Sequence, residues 1–139
     1  MKKYYLAYGS NLNLSQMRRR CPNAKKVGSF LLKGYELEFR YYLTIKENPN
    51  GEVPLGIFEI DENDERSLDR YEGYPTHYRK EYLDVELNSK PIKALVYVMN
   101  EEIRGVMVPD MFYVNTCLQG YKDFAFDSCY LFKAYKEAE

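Results

Sequence analysis

The sequence predicts an α+β fold: a mixed, mostly antiparallel, barrel-like sheet with helices around the outside. Three observations predict it. Strand-type segments follow one another through hairpin turns, the arrangement that builds antiparallel sheets and lets them curl toward closure. The segment Ile92 to Met99 is apolar on both faces and reads as a central strand. Helix-type segments with their own start and stop residues interrupt the strands rather than alternating regularly with them. The 139 residues fit one domain spanning 1–139, with one substantial core and no linker, repeat or low-complexity tract.

Taken in order, Lys3 to Tyr8 is a short apolar run ended by Gly9, a buried strand. Leu14 to Arg20 is a helix with Asn13 as its N-cap, Gln16 three residues on, and a Leu12/Met17 staple across the start. Cys21-Pro22-Asn23 ends it. From Phe30 to Ile45 strand formers dominate. Tyr35, Leu37, Phe39 and Tyr41 alternate with polar neighbours, and Gly34 separates this run from a shorter strand at Phe30 to Leu32. Asn48-Pro49-Asn50-Gly51 has the composition of a turn, and Leu55 to Ile60 forms the next strand. Asp61 to Tyr71 is an acidic helix stopped by Gly73. Glu81 to Leu87 alternates again, and Asn88-Ser89-Lys90 turns it into the central strand. Pro109-Asp110 starts a helix through Leu118 that ends at Gly120, and Asp127 or Ser128 starts a last one.

Composition narrows the function. Lys plus Arg number 20 against 21 Asp plus Glu, a net charge of −1. That balance predicts neither a nucleic-acid face nor a polybasic membrane patch, while leaving room for a small anionic substrate. The three cysteines, Cys21, Cys117 and Cys129, match no metal or disulfide spacing. The Met-Lys-Lys start lacks a signal-type apolar region, and no apolar run is long enough to cross a bilayer. Free thiols in a reducing cytoplasm are the simplest expectation. A single histidine, His77, precludes a two-histidine metal site, and no nucleophile elbow or phosphate loop is present. There is no Trp, but there are 15 Tyr, most of which read as strand filling.

Among familiar patterns, carboxylate chemistry remains. Glu72 closes the acidic helix between Tyr71 and Gly73-Tyr74-Pro75. A carboxylate there faces the negative end of the helix dipole among bulky uncharged neighbours, which raises its pKa toward what a general base requires. Tyr8-Gly9-Ser10-Asn11-Leu12 joins a strand to a helix, so its amides suit a carboxylate. Tyr113 lies on the later helix, where its hydroxyl would orient a substrate. Each alone also has an ordinary reading: an exposed acid at a helix end, a capped turn, a core aromatic.

Together, and in this order, the segments resemble the γ-glutamylcyclotransferase-like family, in its avirulence-induced-gene-type γ-glutamylamine cyclotransferase branch. The pieces are Tyr8 to Leu12, Leu32-Lys33-Gly34-Tyr35-Glu36-Leu37, Leu55 to Ile60, Leu68 to Pro75 with Tyr78, and Pro109 with Tyr113 and Gly120. The chain departs from the family's pattern at Asp110, where Ser usually follows the proline. Asp caps a helix equally well, but an added charge would alter selectivity if it touched substrate. The resemblance implies a barrel-like sheet and no metal or cofactor. It also implies a small-molecule γ-glutamyl substrate cyclised to 5-oxoproline with release of an amine, with Glu72 catalytic and Tyr8, Gly9, Ser10, Asn11, Leu12 and Tyr113 binding substrate. Two other readings share the scaffold: a γ-glutamyl amide hydrolase, in which Glu72 activates water, and a non-enzymatic small-molecule-binding module. The leaving side of the substrate is left open, with Asp110 and the loop 100–108 as the places that would select it. The sequence fixes no oligomeric state.

Overall fold

The computed structural model describes residues 3–102 and 104–139. Its strands are β1 (Lys3–Ala7), β2 (Lys25–Arg40), β3 (Tyr42–Ile60), β4 (Tyr78–Leu87) and β5 (Lys90–Met99). Its helices are α1 (Leu14–Arg20), α2 (Glu62–Glu72), α3 (Met111–Asp123) and α4 (Cys129–Ala138). The sheet runs β2-β3-β1-β5-β4, antiparallel except where β1 lies parallel to β5. The expected central strand, β5, is an interior one, with Ala94 through Met99 all buried. The fold is therefore mixed, mostly antiparallel α+β as the sequence predicts. The sheet curls until its edge strands approach: a Cβ on Gly28 of β2 would stand 2.8 Å from Leu87 Cδ1 of β4. The strand ladder itself stays open there.

The helix starts follow local chemistry. Asn13 Oδ1 accepts the Gln16 amide at 3.0 Å. Asp61 and Asp64 exchange backbone and side-chain bonds at the start of α2, and Asp110 Oδ1 accepts the Tyr113 amide at 2.9 Å. Gly73 ends α2 at φ 66°, the left-handed cap that any side chain would resist.

Two expectations about the strands need correction. The hairpin between β2 and β3 turns at Tyr41, a non-glycine residue at φ 69°, so the run to Ile45 is two strands rather than one. Asn48 to Gly51 does not reverse the chain: it lies within β3, opposite the register shift at Gly34, and β2 continues through that shift. Gly120 does not stop α3 either. It sits inside the helix because a Cβ there would meet the backbone N of Asn13 at 2.5 Å and C of Leu12 at 2.6 Å. That close approach seats α3 directly on the segment following β1.

Candidate active site

At one end of the curled sheet, the segment after β1, the starts of β3 and β4, the end of β5, the C-terminus of α2 and the N-terminal half of α3 enclose a cavity of about 340 Å³. A narrower inner recess continues from it, lined by Tyr8, Gly9, Ser10 and Asn11 with Glu72, Tyr78 and Tyr113.

Glu72 is the carboxylate of this cavity. It is half-buried, and among the described residues nothing hydrogen-bonds to it. Burial pushes its pKa up to about 8, against the pull of the Arg20 guanidinium. The acid is thus held near neutrality by poor solvation rather than by a fixed partner, and its oxygens remain available to a bound molecule.

The loop after β1 lines the same recess. Its 3-10 turn, Ser10–Leu12, commits the Leu12 amide to Gly9 O and the Asn13 amide to Ser10 O, each at 3.1 Å. The amides of Gly9, Ser10 and Asn11 donate to no backbone carbonyl among the described residues. Three donors beside a recess are what a carboxylate or a developing oxyanion requires. Gly9 keeps the wall thin, because a Cβ there would lie 3.2 Å from the Tyr113 hydroxyl. The side chains are braced: Ser10 Oγ and the Tyr71 hydroxyl share a 2.8 Å bond, and Asn11 donates to Tyr5 at 2.9 Å. Arg20 bonds Asn11 and Gln16 while its guanidinium lies 3.5 Å over the Tyr71 ring.

Five tyrosines line the inner recess: Tyr5, Tyr8, Tyr78, Tyr97 and Tyr113. These are not mere strand filling. Tyr8 donates to Tyr97 O at 2.7 Å, Tyr78 to Leu43 O at 2.8 Å, and Tyr97 to Asp69 at 2.6 Å. Tyr113 accepts the Leu43 amide at 3.1 Å, so the donor it retains is its own O–H. Burial holds the phenols of Tyr5, Tyr8 and Tyr78 protonated, and the nearby Glu72 carboxylate reinforces that. The recess is therefore polar and neutral apart from Glu72.

Of the residues singled out from sequence, the structure brings together Glu72, Tyr8, Gly9, Ser10, Asn11 and Tyr113. Leu12 is not among them; its side chain is 0% exposed in the core and its amide is already bonded. Asp110 also stays outside, accepting from the Tyr41 hydroxyl at 2.7 Å and capping α3. On the loop 100–108, Arg104 does reach the cavity, whereas Ile103 lies outside the described residues. Sequence reasoning missed Arg20, Arg70, Arg104 and Tyr42. A lone arginine carries no local pattern; in the folded chain Arg70, Arg104 and Tyr42 line the cavity and the charge of Arg20 reaches Glu72. Among the described residues no cluster of His, Cys, Asp and Glu is placed to hold a metal ion. No described helix is long and apolar enough to cross a membrane.

Comparison with known proteins gives a consistent result. A family model described as "Gamma-glutamyl cyclotransferase, AIG2-like" matches residues 5–113. No curated protein matches the sequence at a significant level. Among solved structures, one named "Gamma-glutamyl cyclotransferase" superposes with a TM-score of 0.83 at 22% identity, covering 96% of this chain and 86% of that one. An uncharacterized protein from Homo sapiens gives 0.84 at 24% identity with the same coverage. YkqA from Bacillus subtilis gives 0.78 at 20% identity, over 99% of this chain and 54% of that one. At these identities the likenesses show the fold.

Proposed function

The chain belongs to the γ-glutamyl cyclotransferase, AIG2-like family, and on that premise we propose that it converts a γ-glutamyl amino acid or γ-glutamyl amine to 5-oxoproline and a free amine. The observation that carries this reading is Glu72, a half-buried carboxyl with a pKa of about 8 that lines one recess with Gly9, Ser10 and Asn11, whose amides donate to no backbone carbonyl among the described residues.

The chemistry follows from that pairing. The nucleophile is the substrate's own α-amino group, so no Ser or Cys nucleophile is needed. Ionised Glu72 takes a proton from the α-ammonium. The freed nitrogen attacks the γ-carbonyl carbon, closing a five-membered ring, and the carbonyl oxygen becomes an oxyanion. Amides of Gly9, Ser10 and Asn11 stabilise it, where one donor is worth roughly 3 kcal/mol. The ring nitrogen sheds its second proton as the C–N bond to the leaving amine breaks, Glu72 returns its own proton to the departing nitrogen, and the amine leaves as an ammonium ion. Because ring closure is intramolecular, the enzyme's main task is to fold the substrate into reactive geometry. The packed tyrosines of the recess suit that task, with the Tyr113 O–H as an orienting donor. The cavity is of the size that takes small ligands, about 300–1,000 Å³.

The direct test is to incubate the protein with γ-glutamyl amino acids and γ-glutamyl amines and to measure 5-oxoproline. Wild type forms it, and Glu72→Gln loses about 10²–10⁴-fold in kcat while keeping its circular dichroism. Undiminished turnover in the variant would remove Glu72 as the base. Free glutamate in place of 5-oxoproline would make the enzyme a hydrolase, and binding without turnover would make it a binding module.

A further inference from the structure

The outer half of the cavity differs in charge from the inner half. Arg104 and Arg70 line it, together with His77, Tyr42 and Met99. Glu72, at the inner end, is the one acid among the lining residues. Neither arginine is paired with a carboxylate among the described residues, although cations elsewhere on the chain are: Lys3 with Glu65, Lys46 with Glu38, Arg40 with Glu38. Glu101 and Glu102, next to Arg104 on the same loop, are exposed and do not line the cavity. Arg104 is half-buried, its guanidinium 5.9 Å from the Tyr41 ring. Its charge also reaches inward to the Tyr78 phenol, whose ionised form it favours against the stronger effect of burial. Arg70 is the more exposed of the two and is turned back along α2 to Ser67 Oγ at 3.2 Å.

We infer that Arg104, assisted by Arg70, is a specificity-determining residue that reads an anionic group, a carboxylate, on the leaving side of the substrate. This rests on the cyclotransferase reading of the same cavity. With the γ-glutamyl group in the inner recess, its α-amine at Glu72, the departing amine points to the outer half and meets unpaired guanidinium groups. A planar guanidinium matches a carboxylate bidentately. A departing group whose free end is cationic would meet like charge with no acid to offset it, and is discriminated against.

The test uses two ligands that differ in one charge, γ-glutamyl-alanine and γ-glutamyl-alaninamide. Binding is measured by titration calorimetry with the Glu72→Gln protein, and turnover by 5-oxoproline release with wild type. The acid binds about tenfold more tightly than the amide, the size expected for one charge-assisted hydrogen-bonded contact. Its advantage shrinks as salt rises. Arg104→Gln abolishes the preference, Arg104→Lys restores part of it, and Arg70→Gln has the smaller effect. Equal binding of acid and amide to the Glu72→Gln protein overturns the inference without recourse to any arginine variant, as does failure to bind either. The absence of 5-oxoproline from both ligands, with the binding preference intact, overturns the cyclotransferase reading and leaves the anion-reading arginines standing.

Discussion

Glu72, the acid of the cavity, is held there at some cost to the fold. Its pKa, ordinarily 4.5, stands at about 8 in the folded chain because burial disfavours the charge. Between those two values the unfolded chain has released the proton and the folded chain still holds it, so this residue lowers stability as pH rises through that window. Glu72→Gln removes the titration. Its melting temperature, measured by calorimetry from pH 5 to 9, gains on wild type as pH rises, in the opposite direction to its activity. A constant difference would mean that the carboxyl titrates normally. On the proposed mechanism the same value sets the rate profile: kcat/KM of wild type rises through an apparent pKa of about 8, because the free enzyme's base must be ionised. Arg20 is the cation that opposes burial at Glu72. Arg20→Gln therefore moves the rising limb to higher pH, and an unmoved limb would show that the guanidinium only braces Asn11 and Tyr71.

The helices and strands position these residues by close approach. α3 rests on the loop after β1 at Gly120, and a methyl group there would strike backbone rather than a yielding side chain. Gly120→Ala therefore costs about 1–3 kcal/mol as overpacking. It also displaces the segment carrying the Gly9 to Asn11 amides, so urea unfolding shifts to lower concentration and KM rises. An unchanged midpoint would mean that the loop absorbs the methyl. This contact also explains what could be read beforehand. The caps at Asn13 and Asp110 are local chemistry and are found where the sequence places them, while Asp61, read as the first helical residue, caps α2 instead. Gly120 has the composition of a helix stop, but its role is set by a segment more than a hundred residues earlier. Tyr41 turns the hairpin with no glycine to signal it, while Asn48 to Gly51 spends turn-type residues on an irregularity inside β3. Glu72 and the Gly9 loop share one recess, and the sequence presents their segments as a pattern in order. The sequence points to the loop 100–108 but not to Arg104 within it, because which residue of the loop lines the cavity is set by the folded chain.

Over the whole molecule, the curl of the sheet gathers the site at one end, and the elements at its back sustain that curl. α4 packs on β2 with Leu131 and Ala134 buried, and the Tyr130 hydroxyl bonds Glu52 of β3. This helix lies beyond the residues matched by the family model and lines neither the cavity nor its recess. Its contribution is therefore expected in stability alone. Leu131 is 1% exposed, so Leu131→Ala leaves an interior void and costs about 2–5 kcal/mol. If residues 3–139 share one core, as the continuous cluster of buried side chains from Tyr5 to Ala134 implies, that loss appears as one earlier cooperative transition, followed by far- and near-ultraviolet dichroism together. kcat/KM below the transition stays at the wild-type value, because α4 lines neither the cavity nor the recess. Two separated transitions in the variant would instead make α4 and the β2–β3 hairpin a unit that unfolds apart from the end that holds the cavity. In that case the curl of the sheet would be held by β1, β3 and β5 without support from behind.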